Sequence, residues 1–150
     1  MSLANYPTAS LMRRLLALAY DSLIIIAIYI LIGGILVTLI SKALGYAELP
    51  RLSPAMAASL MYSFIFLYYM HSWRRGGQTI GMKAWGLYAI TEDGSQFRLS
   101  HAILRSVAGG FSIVLFGLGF WWMLFDKKQR TWHDMASLTK VVYKPKNLSK

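Results

Sequence analysis

Leu11-Met12-Arg13-Arg14-Leu15-Leu16-Ala17-Leu18-Ala19-Tyr20-Asp21-Ser22-Leu23-Ile24-Ile25-Ile26 opens an apolar run that continues to Ile40. Two arginines stand at its mouth and one carboxylate stands inside it. Leu15–Ile40 is long enough to cross a bilayer with some tilt. A lone charge at the centre of such a helix is unfavourable by about 2.5–3.5 kcal/mol on insertion scales, so Asp21 needs a partner or a purpose. Arg14 lies two turns back on nearly the same face, about 10 Å along the axis, too far for an easy direct pair. The partner has to come from another segment.

The rest of the composition agrees with a membrane chain. Its 150 residues suit one domain, and they are 56% hydrophobic but only 15% charged. The apolar residues fall in long runs, which points to an integral membrane protein rather than a large soluble core. The net charge is +10. These cations flank apolar spans, where they set topology and meet anionic headgroups. A nucleic-acid binder would need a soluble basic face instead. The absence of cysteine excludes disulfides and thiolate metal sites. Arg13-Arg14 before Leu-Leu superficially resembles a twin-arginine leader, but the run is too long and no Ala-x-Ala site closes it, so a retained helix is expected.

Met1–Ser10 is a polar arm, with Ser10 as the expected cap of a first span over about 11–41. Ser41–Ser53 is a loop containing Lys42, Glu48 and Arg51. Ser53-Pro54 starts a second span, about 54–72, and Tyr68, Tyr69 and Trp73 form an interfacial belt at its far end. Arg74–Gly86 is expected to lie at the interface, with Lys83 towards headgroups and Ile80, Met82 or Trp85 in the acyl boundary. Leu87–Thr91, the Glu92-Asp93-Gly94-Ser95 turn and Gln96–Leu99 predict a cytoplasmic β-hairpin over about 86–99. Ser100 is placed as the cap of a third apolar segment, about 101–125, which contains Arg105 and is broken by glycines near Gly117. The tail, 126–150, is basic and loose at its end, with a strand candidate at Lys140–Lys144 that can join the hairpin.

The expected fold is therefore an all-α membrane protein: two transmembrane helices, a third crossing or re-entrant helical segment, and a small β-hairpin. Arg13-Arg14 and Arg74-Arg75 both belong on the cytoplasmic side. A full third crossing would send Lys127, Lys128 and Arg130 outside, so a segment that turns back near Gly117 is favoured.

Three stretches together resemble the RDD family of small bacterial membrane proteins: Arg13-Arg14…Asp21; Gly77-Gln78-Thr79-Ile80-Gly81-Met82-Lys83 with the Leu87–Thr91 strand and its turn; and Leu124–Asp134, ending in Val141-Val142. The resemblance covers about residues 10–143. That family is named for one arginine and two aspartates. Arg14 (or Arg13) and Asp21 match the first two, and Asp134, with Asp126 as the fallback, matches the third. Met82 departs from the pattern, standing where a second basic residue is often seen. The resemblance implies a bacterial cytoplasmic membrane protein and a transport role for an undefined ligand.

Arg105 stands about five residues into its helix, at a depth matching Asp21, so an Asp21–Arg105 contact is expected. Its functional form is a proton- or cation-exchanging carboxylate; its structural form is a buried ion pair that fixes register. Asp134 is expected to accept from Arg13, Arg14 or Arg130 and clamp the tail against the first helix. His133-Asp134 does not make a general-base pair, since adjacent helical residues do not face each other. No histidine pair has metal-site spacing, and Gly77…Gly81 lacks the ending of a phosphate loop. The leading expectation is a transport component for a cation or small polar solute, acting as a homo-oligomer, with no cofactor and no enzymatic role. The alternative is a membrane scaffold that binds a protein partner or anionic lipid.

Overall fold

The computed structural model describes residues 3–45 and 52–145. The expectations for most of the first loop and for the loose basic end fall on 46–51 and 146–150, outside the described residues. A 3-10 turn at Leu3–Asn5 precedes α1 (Leu11–Ala43) and α2 (Pro54–Gly76). Then come α3 (Ile80–Ala84), β1 (Leu87–Thr91), α4 (Leu99–Val114), α5 (Leu118–Trp121) running into a 3-10 turn, α6 (Trp132–Ala136) and β2 (Thr139–Tyr143). Among the described residues the protein is mostly helical with one two-stranded antiparallel sheet, which agrees with the expected helices and small sheet in kind.

α1 is long and apolar enough to cross a membrane, and 6% of its most apolar window is buried inside the protein. Its inner face is narrow: Arg14, Ala17, Asp21 and Ile25 are the buried positions over its first half, at the spacing of one helical stripe. α2 runs antiparallel beside it, with Tyr29 Oη donating to the Ala57 carbonyl at 3.2 Å and Tyr68 meeting Asp21. Ser53 caps α2 by accepting from Met56 N. Ser10, by contrast, makes no side-chain cap bond on α1. α2 extends past His71 until Gly77 ends it at φ +67 with an N–H to the Trp73 carbonyl. A Cβ there would sit 2.7 Å from the Ala89 carbonyl oxygen, so glycine serves both the left-handed turn and the close approach to β1.

The expected hairpin is not formed. β1 pairs with β2, in the register Leu87↔Tyr143, Ala89↔Val141, Thr91↔Thr139. The 92–95 turn closes locally through Thr91 Oγ1 to the Ser95 carbonyl and Ser95 N to Asp93, but the chain then enters α4 at Leu99. β2 is the better partner because Thr139, Val141 and Val142 are β-branched and buried, matching buried Leu87, Ala89 and Thr91. The N-terminal arm lies along the other side of β2: Ala9 N donates to Val141 and Tyr143 N to Pro7, each at 2.9 Å. Ser100 is not the cap of α4. Arg98 holds that position, and His101 Nδ1 accepts its N–H at 3.0 Å. Met82 is buried in the core rather than set in an acyl boundary, while Ile80 and Lys83 are exposed.

α4 and α5 meet at a 107° bend. Phe116 and Gly117 take φ +54 and +77, and Gly119 N donates to Ser112 Oγ at 2.9 Å. A Cβ on Gly119 would come within 2.6 Å of that oxygen. The core (Ala9, Ala17, Trp73, Met82, Leu87, Ala89, Ala102, Val141) sits where α1 begins, α2 ends and the sheet lies. The N-terminal arm, the α2–α4 connection and the C-terminal strand therefore share one end of the α1–α2 pair.

Candidate functional site

Two polar centres occupy that junction, both on the inner stripe of α1. The first is Asp134, at the third position of α6 and 0% exposed. Thr131 and Asp134 form a capping box, each side chain accepting the other's backbone N–H at 3.3 Å. The same carboxylate accepts from Arg14 Nη1, and from Arg105 Nη1 at 2.7 Å. Arg14 is held further by the carbonyls of Ala9 and Val141. Arg105 Nη1 also donates to Thr139 Oγ1, which lies 2.7 Å from Ser137 Oγ. One carboxylate thus ties α1, α4, α6 and β2 together.

Burial alone would raise the Asp134 pKa, but Arg14 and Arg105 outweigh it and hold the carboxyl below the usual range. Neighbouring His133 is pushed from 6.5 down to about 3, by burial first and then by Arg105. The three charges sum to +1, all buried.

The second centre is Asp21, 1% exposed. It accepts from Tyr68 Oη at 2.7 Å, Thr79 Oγ1 at 2.5 Å and Gly81 N at 2.7 Å. Tyr68 Oη accepts from Ile80 N, and Thr79 Oγ1 from Met82 N. Three successive N–H groups at the start of α3 thus reach one carboxylate, one directly and two through hydroxyls. A Cβ on Gly81 would lie 2.2 Å from the Ala17 carbonyl oxygen and 2.9 Å from Asp21 Cγ, so only glycine allows α3 this close to α1.

The expected Asp21–Arg105 contact is not made. Each faces its own centre, and no cation lies within ion-pair distance of Asp21 among the described residues. An argument from depth says nothing of the direction in which a side chain leaves the helix axis. Arg13 lies over the Tyr143 ring, 3.9 Å from its centre, rather than on Asp134. Asp126 stands apart in a half-buried clasp with Arg130, at 2.9–3.2 Å, with Glu92 4.0 Å from Arg130. The bonds from Arg130 hold the Asp126 carboxyl below its usual range.

Sequence reasoning missed Tyr68, Thr79, Gly81 and Thr139. Thr79 carried a usable signal: Thr-x-Gly opening a short apolar turn is an N-cap pattern, and a helix N-terminus suits a carboxylate. Tyr68 was assigned to the interfacial belt, and nothing local marks Thr139.

The family model described as RDD family matches residues 8–137, which take in Arg14, Asp21, Arg105 and Asp134. No curated protein and no solved structure matches the chain. With a match over most of its length, the chain belongs to the RDD family.

Proposed function

We propose that the protein is a proton-coupled transport component of the bacterial cytoplasmic membrane, moving a cation or small polar solute, with Asp21 as the proton-carrying group. One observation carries this: a buried carboxylate on the apolar helix has no cationic partner among the described residues, and two of its three donors are hydroxyls. A hydroxyl donates once and accepts twice. A protonated Asp21 can donate to Tyr68 Oη or Thr79 Oγ1 if that hydroxyl turns its own hydrogen, with no heavy atom displaced. A metal cation at Asp21 would instead need oxygen lone pairs turned towards it, where three donors now point. The proton is therefore the exchangeable cation that the geometry fits.

The sheet supports the membrane arrangement. β2 is joined to β1 and to the N-terminal arm. Two crossings by α1 and α2, and an α4–α5 segment that turns back at its bend, then leave Arg13, Arg14, Arg74, Arg75, Lys127, Lys128 and Arg130 on one cytoplasmic side, as the positive-inside rule asks. Two crossings do not enclose a pathway, so the working unit is a homo-oligomer.

The alternative, a non-transporting scaffold, draws on a different aspect of the same site: the three donors also fasten α3 to α1 and α2, as a structural dock would. Flux separates the two. Purified protein in vesicles with a trapped pH dye is given a proton gradient, then Na⁺, K⁺ or Li⁺ in turn. Transport predicts cation-dependent collapse of the gradient, absent in Asp21→Asn protein of equal insertion. No collapse in the wild type rejects proton-coupled exchange of these cations.

A further inference from the structure

A cleft of about 540 Å³ opens between the last turn of α2, β1 and the 94–97 segment. Trp73, Arg74, Arg75, Tyr88, Thr91 and Phe97 are among its walls. Arg74 and Arg75 are exposed at its edge, and no carboxylate among the described residues lines it. The two acids of the adjoining turn are turned to other work: Glu92 faces Arg130 and Asp93 accepts from Ser95 N. The aromatic wall is built by Trp73 and Phe97, with ring centres 5.7 Å apart. Behind Trp73 stands Arg105, its guanidinium carbon 5.0 Å from the indole ring. That arginine is held in turn by Asp134. Trp73 is 9% exposed, and its Nε1 has no acceptor among the described residues.

Two arginines at the edge of the cleft, beside an aromatic wall and with no described carboxylate in the lining, make a place for an oxyanion. Guanidinium forks match phosphate oxygens bidentately, and an aromatic wall suits the carbon skeleton next to such a group. We propose that this cleft binds a phosphate ester through Arg74 and Arg75. In the membrane arrangement proposed above, the end of α2 lies at headgroup level, so an anionic lipid headgroup is the natural source. A soluble phosphate compound shares the chemistry. The inference rests on that arrangement only for the choice of source, and it is tested without any flux measurement.

Isothermal titration in a non-ionic detergent compares dihexanoyl-phosphatidylglycerol, dihexanoyl-phosphatidylcholine and inorganic phosphate. The wild type is expected to bind the glycerol lipid saturably, and the choline lipid at least about tenfold more weakly. Arg74→Gln/Arg75→Gln should weaken binding by about tenfold or more, the usual scale for charge-assisted hydrogen bonds. Lys127→Gln/Lys128→Gln removes the same charge from an exposed site outside the cleft's lining and should leave binding within about twofold, as expected for solvent-screened charges that do not touch the ligand. Trp73→Phe, which keeps every charge but narrows the aromatic wall, should give a smaller loss than the arginine double variant. Inorganic phosphate binding with the same variant pattern would support the site and reassign its source to a soluble ester. Equal loss in the two double variants, or no saturable binding of either phosphate probe, would overturn the proposal. Arg74 and Arg75 are exposed, so their replacement should leave the fold, read by circular dichroism, intact.

Discussion

Replacing Asp134 by asparagine keeps the shape of the side chain and removes the one negative charge that Arg14 and Arg105 share. Both guanidinium groups are left in a site where the arginines are 6% and 4% exposed. Breaking a buried pair in this way is unfavourable by about 3–5 kcal/mol, against a total stability of about 5–15 kcal/mol for a protein of this size. The loss should lower the unfolding midpoint in detergent by roughly 10 °C, at about 2–4 °C per kcal/mol. Asp126→Asn provides the control, since it removes a carboxylate whose hydrogen bonds go only to half-buried Arg130, and it should move the midpoint far less. Arg14→Met/Asp134→Asn should lose less than the sum of its single changes, because one stranded charge goes with its partner. It should not recover fully, since Arg105 stays unpaired. If Asp134→Asn is no more harmful than Asp126→Asn, or the double change is additive, Asp134 is not the tie between α1, α4 and α6.

Gly81→Ala should release α3 from α1, because its Cβ would need the space held by the Ala17 carbonyl, 2.2 Å away; limited proteolysis should then cut between residues 76 and 86, where the wild type resists. Thr79→Val should lower stability by about 1–3 kcal/mol by stranding one oxygen of Asp21, and Thr79→Ser should restore it in the same melting assay. His133 supplies a pH dependence. Its folded pKa, about 3, lies below its usual 6.5, so the folded state binds fewer protons in that window. Its contribution is complete above about pH 6.5 and falls by up to about 1.4 kcal/mol per pH unit towards pH 3. Melting midpoints of the wild type should decline on acidification through this window, and His133→Gln should flatten the upper part of the decline.

Much of the junction was legible because charges are scarce in an apolar chain. Arg14, Asp21 and Arg105 stand out for that reason, while Asp134, in a charge-rich tail, is singled out over Asp126 only by the family resemblance; α1 and α2 follow from run length and from the Ser53-Pro54 start. What failed was direction and distance. A lone buried carboxylate leads to the expectation of a cation, yet Asp21 is served by two hydroxyls and a backbone N–H; of these only Thr79, as an N-cap, carries a sequence signal. The Glu92-Asp93-Gly94 turn was found correctly as a turn, but a local signal does not say whether the next strand is adjacent. The true partner, Thr139–Tyr143, lies far along the chain and competes through its buried β-branched face. Gly117 did mark the bend, because a left-handed residue inside an apolar run leaves few alternatives.

The most direct test of the central claim is proton uptake at Asp21 itself. Infrared difference spectra of the protein in vesicles, recorded across a pH step in the range where flux occurs, report the carbonyl stretch of a protonated carboxyl. The account predicts a band that appears on acidification, is absent in Asp21→Asn and shifts in Thr79→Val, where one hydroxyl partner is gone. A spectrum with no band sensitive to Asp21→Asn, in protein that still collapses the gradient, would contradict a proton-carrying role for Asp21.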